Sequence, residues 1–113
     1  MPEISVDRQK ILQQIVDVLP QEELLYELAE LFKIFGDSSR IRILSLLQQE
    51  KLCVNEISFA LNLSQSAVSH QLRILRHARL VRYQKQGKEV FYELDDDHIQ
   101  KIFEQGLEHI SEM

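Results

Sequence analysis

A mainly α-helical fold with one small β-hairpin is what this sequence predicts, and three observations predict it. Apolar residues recur at helical spacing along most of the chain. Helix-breaking residues are scarce, with three Gly and two Pro. A single stretch, 80–94, changes period to short β-branched and aromatic runs around a glycine. With 113 residues, 44% hydrophobic and 27% charged, the chain suits one globular domain over 1–113 and leaves no room for a second core.

Taken in order, Ile11, Leu12, Ile15, Val16 and Leu19 form one helical stripe that ends near Pro20. Leu24, Leu25, Leu28, Ala29, Phe32 and Phe35 form a second, stopped by Gly36. Asp37 and Ser38 are good caps for a third helix carrying Ile41, Ile43, Leu44, Leu46 and Leu47. After a polar break, Val54 or Asn55 opens a short fourth helix through Leu61, expected to bury Ile57, Ala60 and Leu61. Asn62-Leu63-Ser64 makes a turn, and Ser64 caps a fifth helix to about His77 with Val68, Leu72 and Leu75 inward. Two strands, Leu80 to Gln84 and Glu89 to Leu94, are joined across Gln86-Gly87-Lys88. Asp95-Asp96-Asp97 then sets negative charge at the mouth of a last helix, where the macrodipole favours it.

Helix, three-residue turn, polar helix and cationic hairpin follow one another as in a winged helix-turn-helix. The helix-turn-helix lies at about 54–78 and the wing at about 80–94. The first helix and the last, about 96–112, are left to hold a homodimer together. The second helix of such a unit offers its N-terminal residues to base edges in a major groove. Here those outward residues are Gln65, Ser66, Ser69, His70 and Arg73, and Gln, Ser and Arg can read adenine or guanine edges. Arg76, Arg82, Lys85 and Lys88 would serve phosphates or the minor groove.

Charge distribution supports this, although the net charge of −5 at first argues against nucleic acid. From Ser64 to Lys88 there are six basic residues and no acidic one. The rest of the chain holds seven Lys and Arg against all eighteen Asp and Glu, a balance of −11. One cationic strip on an acidic body implies a localised polyanion-binding surface, and with the helix-turn-helix order the expected partner is double-stranded DNA. A solvated basic face, or a winged helix used only for protein contacts, is the plainer alternative.

Other classes fit less well. No apolar run approaches the roughly 20 residues that span a bilayer, and the N-terminus lacks the pattern of a signal peptide. A cytoplasmic protein with no membrane partner is therefore expected. The single cysteine, Cys53, precludes an intrachain disulfide and fits a reducing compartment. With no Gly-rich loop and no nucleophile–base pair, neither an enzyme nor a small-molecule substrate is expected.

The last helix carries a polar edge beside its apolar stripe of Ile99, Ile102, Phe103, Leu107 and Ile110. His98 and His109, eleven residues apart, lie about 20° from each other on one face but roughly 16 Å apart along the axis. Glu112 falls on the same side and Asp96 sits two residues before His98. One chain cannot place both imidazoles on one ion. Two antiparallel copies about a two-fold axis can, bringing Asp96 and His98 of one to His109 and Glu112 of the other, twice per dimer. Two imidazoles and two carboxylates form a four-coordinate set suited to Zn(II), with Co(II) or Ni(II) as alternatives. Solvated histidines, with His98 merely a charge partner of the Asp run, are the simpler reading of the same residues.

Over Leu24 to the C-terminus the sequence resembles the ArsR/SmtB family of metal-responsive repressors. The residues that carry the resemblance are LFKIFGDSSRIRILSLL, LCVNEISFALNLSQSAVSHQLRILRHARLVRYQKQGKEVFYELDDDH and the C-terminal His109 and Glu112. The family's last-helix sensor pattern is matched without a gap by Asp96, His98, His109 and Glu112. The resemblance implies a dimer that binds DNA without metal and lets go when zinc or cobalt is bound. It also implies that His109 relays the signal, through a backbone carbonyl near Arg79. The family's other, cysteine-based site is not supported: Cys53 matches one position, Asn55 stands where a second cysteine often sits, and no Cys or His precedes residue 53. Cys53 is expected to be a small buried hydrophobe, with thiol redox at Cys53 as the alternative signal.

Overall fold

Residues 2–112 are described by a computed structural model of the chain. Six helices and three strands follow in order: α1 (Val6–Asp17), α2 (Glu22–Phe35), α3 (Ser38–Gln49), β1 (Leu52–Cys53), α4 (Val54–Leu61), α5 (Gln65–His77), β2 (Val81–Gln86), β3 (Glu89–Leu94) and α6 (Asp97–Ser111). Two compact units are formed, Met1–Glu30 and Leu31–Met113.

In the first unit, Ser5 caps α1 by accepting the Arg8 N–H at 3.2 Å. The helix ends at Asp17, so Leu19 lies beyond it. Ile11, Leu12, Ile15 and Val16 on α1, and Leu24, Leu25 and Leu28 on α2, are all exposed. No apolar residue of α1 is buried, whereas α2 packs half-buried Leu31, Ile34 and Phe35 from its last turns against the core.

The second unit holds the core. Ile43, Leu44 and Leu47 of α3, Ile57 of α4, Val68, Leu72 and Leu75 of α5, Leu80, Val81 and Ile99 are buried together. The fourth helix buries Ile57 fully and packs half-buried Val54 and Leu61 against the core, whereas Ala60, expected inward, is exposed. The stripe of α4 that meets the core is Val54, Ile57 and Leu61, spaced three and four residues apart, and Ala60 lies at its edge.

The helix ends are set by local chemistry. Asp37 caps α3 through the Arg40 N–H at 3.0 Å. At the end of α4, Asn62 adopts φ 55°, the Leu63 N–H reaches the Ser58 carbonyl, and the Asn62 N–H reaches Phe59. This is a Schellman-type stop, with Asn in the left-handed conformation it tolerates better than most residues. The end of α5 repeats it less comfortably: Arg79 takes φ 61°, and Leu80 N–H bonds back to the Leu75 carbonyl at 2.9 Å.

The hairpin pairs Val81 with Leu94 through Gln86 with Glu89, which leaves Gly87-Lys88 as a two-residue turn. Gly87 has φ 65°, placing glycine where a tight hairpin turn needs a positive φ. The sheet is three-stranded, in the order β1-β3-β2, because Leu52 and Cys53 pair antiparallel with Tyr92 and Phe91. The first helix-turn-helix helix is thereby stitched to the wing.

Candidate nucleic-acid interface and metal-binding half-sites

Ser64 accepts the Ala67 N–H at 3.1 Å and starts α5. With Val68, Leu72 and Leu75 buried at 0% exposure, the opposite face must look outward. Gln65, Ser66, His70 and Arg73 are exposed there, and Ser69 is half-buried. The helix is also braced from behind. The Arg40 guanidinium donates through Nε to the Ile34 carbonyl at 2.9 Å and through Nη1 to Gln71 Oε1 at 3.1 Å. Sequence reasoning missed Arg40 and Gln71; a basic residue just inside a helix start was the only available signal.

The wing is tied to α5 by an aromatic contact. The Arg76 guanidinium carbon lies 4.6 Å from the Tyr83 ring centroid, and Tyr83 lies 6.0 Å from Tyr92 at 44°. Arg82 does not stand free. Its Nε donates to Glu93 Oε1 at 2.8 Å across the strands, and that hydrogen bond, together with the Glu93 charge, holds the guanidinium pKa above its ordinary value. Lys85 and Lys88 are exposed toward the turn. The strip therefore divides: Arg73, Lys85 and Lys88 present charge outward, Arg76 is stacked and Arg82 is paired.

At the other end of the unit, Asp96 caps α6 by accepting the His98 N–H at 2.8 Å, with His98 Nδ1 3.3 Å from the same oxygen. Partial burial pushes the Asp96 carboxyl up, but hydrogen bonds from the His98 backbone and ring and from Ile99 outweigh it, leaving the pKa below its ordinary value. The carboxylate is ionised and lies beside an imidazole whose side chain is 85% exposed. His109 occupies the last turn and Glu112 is the C-cap, both exposed. These pairs stand at opposite ends of α6. Among the described residues, no three His, Cys, Asp or Glu side chains gather closely enough to hold a metal within one chain.

Between the pairs, one face of α6 is apolar. Ile102, Phe103, Gly106, Leu107 and Ile110 line a groove of about 350 Å³ with Phe32, Phe35 and Ile41. Leu107 is 53% and Ile110 66% exposed. Cys53, expected to be buried, is half-buried: it sits at the N-terminus of α4 and its N–H donates to Glu56 Oε1 at 3.0 Å.

Residues 37–83 match the family model described as bacterial regulatory protein, arsR family. A transcriptional repressor SmtB homolog of Synechocystis sp. is 40% identical over 104 residues, covering 89% of this chain and 79% of that protein. A cadmium resistance transcriptional regulatory protein CadC homolog of Staphylococcus aureus is 34% identical over 88 residues, 77% of this chain and 73% of the relative. Among solved structures, reduced HlyU from Vibrio cholerae superposes with a TM-score of 0.69 at 34% identity, covering 74% of this chain and 88% of that one. The relatives are transcriptional regulators rather than enzymes.

Proposed function

The chain belongs to the arsR family of bacterial regulatory proteins, and we propose that it is a cytoplasmic, homodimeric repressor that holds operator DNA when metal-free and releases it when Zn(II) is bound. The observation that carries this reading is the layout of α6: one ligand pair at each end, with an exposed apolar groove between them. Two such helices packed antiparallel cover both grooves and bring each Asp96–His98 pair to the His109 and Glu112 of the partner subunit. The donor set fits the metal. Asp96 is ionised, His98 lies 3.3 Å from it, and two imidazoles with two carboxylates satisfy a four-coordinate N/O site. The named cadmium-resistance relative supports a metal as the signal; Co(II) and Ni(II) suit the same donors.

Zn(II), when bound, would be held by Asp96 and His98 of one protomer with His109 and Glu112 of the partner subunit, and would supply a crosslink between the two helices. The chain's own residues do the rest. Val68, Leu72 and Leu75 fix the reading helix to the core. Gln65, Ser66, Ser69, His70 and Arg73 face base edges, and Lys85 and Lys88 face the backbone. Reading two half-sites demands that the two helices stand about one DNA turn apart, so a small reorientation across the dimer spoils docking. The second nitrogen of a liganded His109 ring needs an acceptor, and a backbone carbonyl near the left-handed Arg79 is the route we assign to that reorientation.

The test is anisotropy of a labelled duplex from upstream of the protein's own gene. Tight binding in chelator that collapses at two zinc ions per dimer is expected; binding indifferent to zinc would sink the metal reading. A second reading, thiol redox at Cys53, is favoured by the half-exposed position of that thiol and by the likeness to reduced HlyU. Oxidant-sensitive, zinc-insensitive DNA binding that is lost in Cys53→Ser would establish it instead.

A further inference from the structure

A second polar feature lies where the reading helix meets the wing. Ser69, Leu72, Arg73, Arg76, His77 and Tyr92 line a cleft of about 430 Å³. That is many times the ~30 Å³ share of one liquid water. Three of the six are basic or can become so, two carry hydroxyls, and no carboxylate is among them. Glu93, next to Tyr92 in β3 and so on the opposite face of the hairpin, is paired there with Arg82 at 2.8 Å. Arg76 does not wander: its guanidinium stacks 4.6 Å over the Tyr83 ring, which leaves its N–H edges free to donate sideways. Tyr83 in turn rests against Tyr92. Tyr92 is fixed on both sides, facing Leu52 of β1 and Tyr83 of β2 in the sheet register.

An anion of tetrahedral shape suits this donor set, and the position says which. The cleft lies between the two elements that would touch a duplex, where a DNA strand must cross from major groove to wing. We propose that it is the seat of one backbone phosphodiester of the bound duplex, with Arg76, His77 and the Tyr92 hydroxyl touching the phosphate and Tyr83 acting as a positioning residue for Arg76. The proposal rests on the DNA-binding reading and deepens it. It gives the wing root, rather than its lysine tip alone, a part in fixing register, because phosphate contacts set where a protein sits on the duplex.

The experiment uses the full chain without metal, a duplex selected from a randomised library, and a set of copies each carrying one neutral methylphosphonate. Tyr92→Phe keeps the ring and removes only the hydroxyl, so it should bind roughly three- to tenfold more weakly, the worth of one hydrogen bond. That loss should vanish on the copy neutralised at the seated phosphate, one position per half-site. Tyr83→Leu should weaken binding similarly and lower the salt slope by about one, as for a lost phosphate contact, whereas Tyr83→Phe keeps the stack and should bind as wild type. Affinities of Tyr92→Phe and Tyr83→Leu within twofold of wild type, or a Tyr92→Phe loss that persists on every methylphosphonate duplex, would overturn the seat while leaving DNA binding intact. If the wild-type chain selects no duplex at all, the DNA-binding reading falls and the seat with it.

Discussion

Helices α5 and α6 are both strongly amphipathic, yet they resolve their apolar faces differently. On α5, Val68, Leu72 and Leu75 reach 0% exposure within their own chain. On α6 only Ile99 is buried, and Leu107 and Ile110 remain more than half exposed. A helix that reads DNA must be held rigidly by its own subunit, because its outward residues are useful only in one orientation. On the proposed function α6 is instead completed by a second copy, so its apolar face is left open in the single chain. The comparison divides the molecule into a finished half and an unfinished one.

Truncation inside the finished half should have the largest effect. Leu72→Ala should cost about 2–5 kcal/mol, the range for a large-to-small change in a packed core, read as a lowered denaturation midpoint. On the unfinished half, Leu107→Glu should scarcely move subunit stability but weaken the dimer by about 2 kcal/mol or more, the scale of an interface anchor. Sedimentation at graded concentration separates the two outcomes. A Leu107→Glu chain that stays dimeric would erase the distinction drawn here.

Charges within the finished half sharpen the comparison further. Arg73 is exposed on the reading helix, so Arg73→Ala should weaken duplex binding by about 1–3 kcal/mol. Arg82 is already committed to Glu93, so Arg82→Ala should cost less than Arg73→Ala in the same titration. The smallest effect belongs to the end of α5. Arg79→Gly relieves a positive φ that glycine adopts freely, and thermal melting should show a gain of up to about 1 kcal/mol.

Much of the finished half was legible in the sequence because its signals are local. Ser64 as a cap, a turn at Asn62, Gly87 at the hairpin and the Val68-Leu72-Leu75 stripe are each set within a few residues, and each falls where expected. What escaped is what depends on distant partners. Strand β1 has two residues, too few for any alternation, and exists only because Tyr92 and Phe91 pair with it. The Arg82–Glu93 bridge, the Arg76–Tyr83 stack and the Arg40 brace on Gln71 join residues 11, 7 and 31 positions apart. Exposure of Ala60 follows from how α4 is rotated by its neighbours rather than from its own pattern. On α6 the spacing of Asp96, His98, His109 and Glu112 was plain, whereas the groove between them needed three dimensions.

That α6 supplies two half-sites to be completed by another copy is the central claim, and mixed dimers test it most directly. One chain carries Asp96→Asn with His98→Ala; the other carries His109→Ala with Glu112→Gln. Neither altered chain can build a shared site alone, but a dimer of one of each restores a single complete set. Equilibrium zinc binding should give two ions per wild-type dimer, none for either altered homodimer and one for the mixed dimer. Zinc retained by an altered homodimer, or absent from the mixed dimer, would contradict the account.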